Sequence, residues 1–188
     1  RQLAATKAQV EALDHEVGGF DILVNNAAIN PLDPIENYAI DYFEDVQRIN
    51  THAAFVLCQV VVPAMKKKGA GQIVNVCSIT LSGGWSEFVP YVMSKGSLLG
   101  LTRSLARELG PAGIRVNAVS PGAIPTELER TVWAHKLAEY EAFILDRQSL
   151  KFRATAQDVA DAMYFLVSPQ SRFVTGIELH VNGGWYMG

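Results

Sequence analysis

Tyr91 and Lys95 stand four apart in a stretch, residues 88–109, patterned as a helix. An i, i+4 spacing brings two side chains onto one helical face. A tyrosine phenol ionises with an ordinary pKa of about 10. A neighbouring ammonium favours the phenolate and lowers that value. A phenol lowered in this way suits proton transfer near neutral pH. Taken alone, the pair is equally a pattern of an amphipathic surface helix.

The elements around the pair sharpen the reading. Residues 20–24 (FDILV) form a short apolar run between Gly18-Gly19 and Asn25-Asn26. Such a run fits a strand buried on both faces of a parallel sheet. Residues 72–77 (QIVNVC), 114–119 (IRVNAV) and 176–181 read as further strands. Helical patterns stand around them. Residues 4–17 end at Gly18-Gly19, and residues 41–68 are long enough to bend near Asn50 or Pro63. Residues 88–109 are stopped by Gly110-Pro111. Residues 127–148 are helical and mixed in character. A last helix opens at Thr155, with Asp158 placed for a capping box, and runs to Val167. Residues 30–34 and the glycine-rich 81–85 read as loops. The order αβαβαβααβ predicts an α/β protein with a doubly wound parallel sheet.

Ligands of an open parallel sheet bind beyond the carboxyl ends of its strands. Three strands deliver Asn25-Asn26-Ala27-Ala28, Ser78 and Ser120-Pro121-Gly122 to that edge. The helix with Tyr91 and Lys95 starts there after the loop from Ser78. Four segments converging on one cleft carry more weight than any one motif.

Bulk properties exclude several classes. The 188 residues are 49% hydrophobic and 19% charged, a globular rather than a disordered balance. The net charge of −3 argues against a nucleic-acid surface, which needs a clustered basic face. The one basic run, Lys66-Lys67-Lys68, sits where a helix ends and cations suit its dipole. Cys58 and Cys77 lie in apolar runs and read as buried thiols in a reducing compartment, with the cytoplasm as default. The four histidines are scattered singly, without ligand spacing, so no metal site is expected.

Asn25-Asn26-Ala27-Ala28, Asn50, Ser78, Tyr91-x-x-x-Lys95, Pro121-Gly122 and the ending Val181-Asn182-Gly183-Gly184-Trp185 together resemble the short-chain dehydrogenase/reductase family of classical type. The likeness extends to the 13 positions between Ser78 and Tyr91 and covers essentially the whole chain. It implies a Rossmann-type fold, NAD or NADP as cofactor, and interconversion of a secondary alcohol and a ketone. Under that resemblance Tyr91 exchanges the proton with the substrate oxygen. Lys95 lowers the Tyr91 pKa and hydrogen-bonds the nicotinamide ribose. Ser78 holds the substrate oxygen, and Asn50 binds a water that links Lys95 to solvent. Asn26 and Ala27 lie against the adenosine-side ribose while Asn25 braces the sheet. Pro121, Gly122 and Ile124 shape the nicotinamide pocket, and Thr126 contacts the cofactor amide or phosphate.

The chain departs from the family in one respect. The usual opening strand and its Thr-Gly-x-x-x-Gly-x-Gly turn, which seat the pyrophosphate at a helix N-terminus, are absent. The expectation is a single, N-terminally incomplete NAD(P)-binding domain over residues 1–188, lacking the first strands of the family fold. Residues 20–24 should then form an open sheet edge. Ala28, where the family usually has Gly, is a minor change.

Residues 127–151 correspond to the family's variable substrate lid. They hold Trp133, Leu137, Tyr140, Phe143, Ile144 and Leu145, which could line a pocket or pack on the core. Trp85 and Glu87 are expected near the mouth. The substrate is a small carbonyl or alcohol compound, and the overall likeness is to 3-oxoacyl-carrier-protein-reductase-like and polyol-dehydrogenase-like members. Helices 41–68 and 88–109 carry apolar residues on more than one face. In the family such helices pair between subunits, which implies a homotetramer. Two competing readings are a relative that keeps the fold without binding cofactor, and an epimerase or dehydratase, which normally uses a larger substrate domain.

Overall fold

A computed structural model of the chain describes residues 2–127, 129 and 135–187. Four parallel strands form one sheet in the order β1-β2-β3-β4: β1 (Ile22–Asn25), β2 (Gly71–Val76), β3 (Ile114–Pro121) and β4 (Glu178–Val181). Parallel neighbours need crossovers, and helices supply them. Helix α1 (Leu3–Glu16) precedes β1; α2 (Ile40–Gln47) and α3 (Ala53–Lys68) link β1 to β2. The short α4 (Ile79–Gly83) and long α5 (Val89–Leu109) link β2 to β3. Helices α6 (Leu137–Arg147) and α7 (Ala156–Val167) lie between β3 and β4.

The alternation of side chains along β2 shows why its centre is apolar on successive residues. Ile73 packs with Cys58, Val61, Met65 and Leu109, in the layer of α3 and α5. Val74, one residue on, packs with Val119, Val159 and Leu166, in the layer of α7. Both faces are covered, so a polar residue there needs a hydrogen-bond partner within the protein. The α/β architecture read from the sequence is therefore present. Among the described residues no strand pairs with the free side of β1, where Ile22 and Val24 are 46% and 41% exposed. No helix among the described residues is long and apolar enough to cross a membrane.

The amino ends of the strands are closed by glycine turns. Gly69 ends α3 at φ 68°, and Gly113 precedes β3 at φ 74°. A Cβ on Gly113 would overlap the Gly69 carbonyl oxygen, so the two turns meet backbone to backbone. Lys68 reaches back to the Gly19 carbonyl at 2.6 Å and to Asp21 at 2.7 Å, tying α3 to the start of β1. This end of the basic run is thus a tether as well as a dipole partner.

Some boundaries differ from the sequence reading, while the bend expected near Asn50 within residues 41–68 is present. Residues 81–85 do not form a loop throughout, because Ser78 caps a short helix by accepting from the Thr80 amide at 3.2 Å. The glycines there act later, as Gly84 ends that helix at φ 60°. Residues 120–121 continue β3, because β4 lies beside them in register Ser120↔His180 and Pro121↔Val181. The long helix is interrupted at Arg48–His52 by a π-helical turn, while Pro63 sits inside α3 without ending it. The capping box of Thr155 and Asp158 forms as its spacing predicts.

A polar row crosses the otherwise apolar α5 side of the sheet. Asn25 and Asn75 are register partners on β1 and β2, and Asn25 donates to Asn75 at 2.8 Å. Asn75 donates in turn to Thr102 of α5, whose hydroxyl donates to the Leu98 carbonyl, both at 2.8 Å. Asn25 therefore braces the sheet, with Asn75 and Thr102 as partners that spacing alone did not reveal.

Candidate active site

Beyond the carboxyl ends of the strands lies a cleft of about 1270 Å³. Its lining includes Asn26, Ser78, Tyr91, Pro121, Gly122, Ile124 and Thr126, so one cleft gathers most of the residues singled out from the sequence. Ala27 is exposed and is not among the lining residues. Asn50 and Lys95, both 2% exposed, lie behind the wall rather than on it.

Ser78 is oriented by its own turn. Its Oγ accepts from the Thr80 amide at 3.2 Å and from the Thr80 hydroxyl at 3.0 Å. A hydroxyl has two acceptor sites and one hydrogen. With both acceptor sites used, Ser78 is left to donate. Tyr91 is within its influence: burial pushes the phenol above its ordinary value, and the Ser78 hydroxyl pulls it down. Thr80, buried in the same turn, is a functional neighbour that no motif marked.

Lys95 stands one helical turn after Tyr91, its Nζ 5.3 Å from the centre of the Tyr91 ring. The ammonium donates to the Val76 carbonyl at 2.6 Å, at the end of β2. Burial lowers its pKa to about 8, against a smaller opposite influence of Cys77. The sequence reading had Lys95 depress the Tyr91 pKa. In this geometry the cation faces the ring rather than the hydroxyl, and burial prevails, so Tyr91 is shifted up. Burial also pushes the Cys77 thiol up to about 12, and its Sγ donates to the Lys95 carbonyl at 3.7 Å.

Asn50, in the π-helical turn, makes a two-ended bond to one distant residue. Its Oδ1 accepts from the Ile29 amide and its Nδ2 donates to the Ile29 carbonyl, both at 2.9 Å. The Nδ2 also donates to Ser94 Oγ at 3.0 Å, and Ser94 donates to the Tyr91 carbonyl at 2.7 Å. The side chain thus joins the loop after β1 to the helix of Tyr91, rather than bonding to its own helix.

Across the cleft, Gly122 approaches the turn after β4 so closely that a Cβ would lie 2.9 Å from Asn182 Cα. Its amide donates to the Val181 carbonyl at 2.9 Å. Thr126 Oγ1 accepts from the Glu129 amide at 3.1 Å. Arg153 donates to both carboxylate oxygens of Glu129, at 2.8 and 2.9 Å, and to the Ala123 carbonyl at 3.1 Å. Tyr140 and Phe143 of α6 line the cleft, whereas Ile144 is fully buried in the core. Arg130 and Trp133 lie outside the described residues.

Aromatic rings continue from Phe143 to the phenol. Phe143 meets Trp185 at 5.8 Å, Trp185 meets Trp85 at 5.1 Å, Trp85 meets Phe88 at 5.9 Å, and Phe88 meets Tyr91 at 6.3 Å. Trp85 and Glu87 are at the mouth as expected. Trp185 was noted only as part of the terminal motif; the glycines before it, both at positive φ, carry it there. No group of three or more metal-ligating side chains occurs among the described residues.

The cleft exceeds the ~300–1,000 Å³ usual for a single small ligand. It therefore has room for more than one small ligand. Comparison with known proteins agrees. Residues 1–186 match the family model described as enoyl-(acyl carrier protein) reductase. The 3-oxoacyl-[acyl-carrier-protein] reductase FabG of Salmonella typhimurium is 35% identical over 184 residues, covering 98% of this chain and 74% of that protein. A gluconate 5-dehydrogenase from Burkholderia cenocepacia, solved with NADP and tartrate, superposes with a TM-score of 0.90 at 30% identity, over 97% of this chain and 71% of that one. A 4-hydroxyisoleucine dehydrogenase solved with NADH gives 0.88 at 34% identity, over 99% and 78%. The chain belongs to the short-chain dehydrogenase/reductase family of NAD(P)-dependent oxidoreductases.

Proposed function

We propose that the protein interconverts a secondary alcohol and a ketone, with Tyr91 as general acid/base. The observation that carries this reading is the Ser78–Tyr91–Lys95 arrangement on one wall of the cleft, opposite Pro121, Gly122 and Ile124. When bound, the nicotinamide supplies the hydride chemistry. Asn26, Tyr91, Lys95, Pro121, Gly122, Ile124 and Thr126 are the residues assigned to hold it, with Ala27 at the ribose edge. In the reducing direction Tyr91, kept protonated by burial, gives its proton to the substrate oxygen. With substrate bound, Ser78 turns its one hydrogen from Tyr91 to the same oxygen as charge develops there. Lys95 keeps a positive charge beneath the phenol. Asn50 holds the cleft wall in place, and a water relay through it would use groups other than its amide hydrogens, both of which are engaged.

Residues 127–151 act as the substrate lid. Its end is clamped where Ser149 and Leu150 donate to the Gly183 carbonyl, both at 2.9 Å. The exposed apolar side chains Tyr42, Phe55 and Met93, on α2, α3 and α5, are covered by a second copy in a homotetramer. The two free, buried cysteines suit the cytoplasm.

Titration of the native-length protein with NADH and NADPH tests the reading. Quenching of Trp85 and Trp185 fluorescence by one of them is expected. No quenching by either would favour a relative that keeps the fold without binding cofactor.

A further inference from the structure

Thr80 is buried in the turn that carries Ser78, and both residues line the cleft. Its backbone is framed by two bonds of that turn. The Leu81 amide donates to the Ser78 carbonyl at 3.1 Å, and the Gly84 amide donates to the Thr80 carbonyl at 3.2 Å. A β-branched side chain has little χ1 freedom of its own. The Thr80 hydroxyl therefore has a fixed place, and from it donates to Ser78 Oγ at 3.0 Å.

That bond is not needed to start the helix. The Thr80 amide already makes the capping bond to Ser78, at 3.2 Å. A helical threonine commonly turns its hydroxyl to a carbonyl of the preceding turn. Thr102 of α5 does so, donating to the Leu98 carbonyl at 2.8 Å. Thr80 is turned to a side chain instead.

The second donor changes what Ser78 can do. A hydroxyl that accepts a hydrogen bond is polarised and becomes a better donor. With the amide and the Thr80 hydroxyl on its two acceptor sites, the Ser78 hydrogen is confined to the one direction left. Tyr91 feels the result: burial pushes the phenol's pKa up, and the Ser78 hydroxyl draws it down. Resting on the oxidoreductase reading above, we propose that Thr80 is a positioning residue for the reaction, whose hydroxyl polarises Ser78 and aims the Ser78 hydrogen at the reacting oxygen.

The test compares Thr80→Val, which keeps the shape and the amide cap, with Thr80→Ser, which keeps the hydroxyl. Native-length protein is assayed with NADH or NADPH and two probe ketones, cyclohexanone and ethyl acetoacetate. Thr80→Val should lose about three- to tenfold in kcat, the effect of one hydrogen bond of ordinary strength. KM for the ketone and the dissociation constant for the cofactor should stay near those of the wild type. Thr80→Ser should retain most of the turnover. An unchanged kcat in Thr80→Val, or an equal loss in Thr80→Ser, overturns the proposal. Should Thr80→Val fail to fold, Thr80→Ala takes its place against the same serine variant.

A second readout, by NMR, needs no turnover. In protein with tyrosine isotope-labelled at Cζ, the Tyr91 signal is identified by its loss in Tyr91→Phe. At neutral pH it should move in Thr80→Val toward its position in Ser78→Ala, and stay near the wild-type position in Thr80→Ser. A signal unmoved in Thr80→Val overturns the proposal. If neither NADH nor NADPH quenches the tryptophan fluorescence, the oxidoreductase reading fails separately, and the Tyr91 signal alone decides the role of Thr80.

Discussion

Lys95 donates to the Val76 carbonyl at 2.6 Å while its Nζ stands 5.3 Å from the centre of the Tyr91 ring. The amine is thus held between the end of β2 and the phenol, in a site where burial lowers its pKa to about 8 from 10.5. Between those values the unfolded chain binds the proton more fully than the folded one. Stability therefore rises with pH across that window. Measured by thermal melts, the wild type should gain stability relative to Lys95→Met from about pH 8 to about pH 10.5. A constant difference between the two proteins would show that Lys95 is not strained in its charged form.

Tyr91→Phe removes the proton and little else. Turnover should fall by about 10²–10⁴ while the dissociation constant for the cofactor stays near that of the wild type. Single-turnover kinetics with an independent binding titration separates the two. Retention of most of the activity would exclude Tyr91 as the acid/base.

The Arg153–Glu129 pair joins the segment after Thr126 to the approach to α7, with side chains only 11% and 10% exposed. Removing one member strands a buried charge, which costs about 3–5 kcal/mol. Arg153→Met should therefore lower Tm by on the order of 10 °C for a chain of this size. The double variant Arg153→Met, Glu129→Met should recover much of that loss, and simple additivity of the two single changes would contradict the pairing.

Gly122→Ala tests the close approach across the cleft. The new Cβ would lie 2.9 Å from Asn182 Cα, and backbone must shift to admit it. We expect a loss of about 1–3 kcal/mol together with weaker cofactor binding. An unchanged melting curve would mean that the turn after β4 yields without cost.

Much of this was legible in the residues themselves. Glycine and apolar punctuation marked the four described strands, most clearly β2, whose Ile73 and Val74 pack into opposite layers. Tyr91 and Lys95 followed from helical spacing, and Ser78 from its place after β2. The rest depended on partners remote in sequence. The double bond of Asn50 to the backbone of Ile29, 21 positions earlier, has no local signature. Trp185 joins the wall only because β4 and its glycine turn return beside the lid. Ser78 starts a helix where the glycines after it suggested a loop, since a capping hydrogen bond outweighed composition. The upward shift of Tyr91 reflects burial, which spacing does not report.

The amide row of Asn25, Asn75 and Thr102 also bears on how the chain finds its native pairing. Short apolar strands such as β1 can slide along a parallel neighbour without losing much contact. A slip of one residue would set Val24 against Asn75, turn Asn25 toward the wrong layer and orphan two amides inside the molecule. At about 1–3 kcal/mol for each stranded group, that misaligned state is discriminated against by roughly tens- to ten-thousands-fold. The row thereby fixes the register of β1 against β2, and with it the place of Asn26 relative to α5.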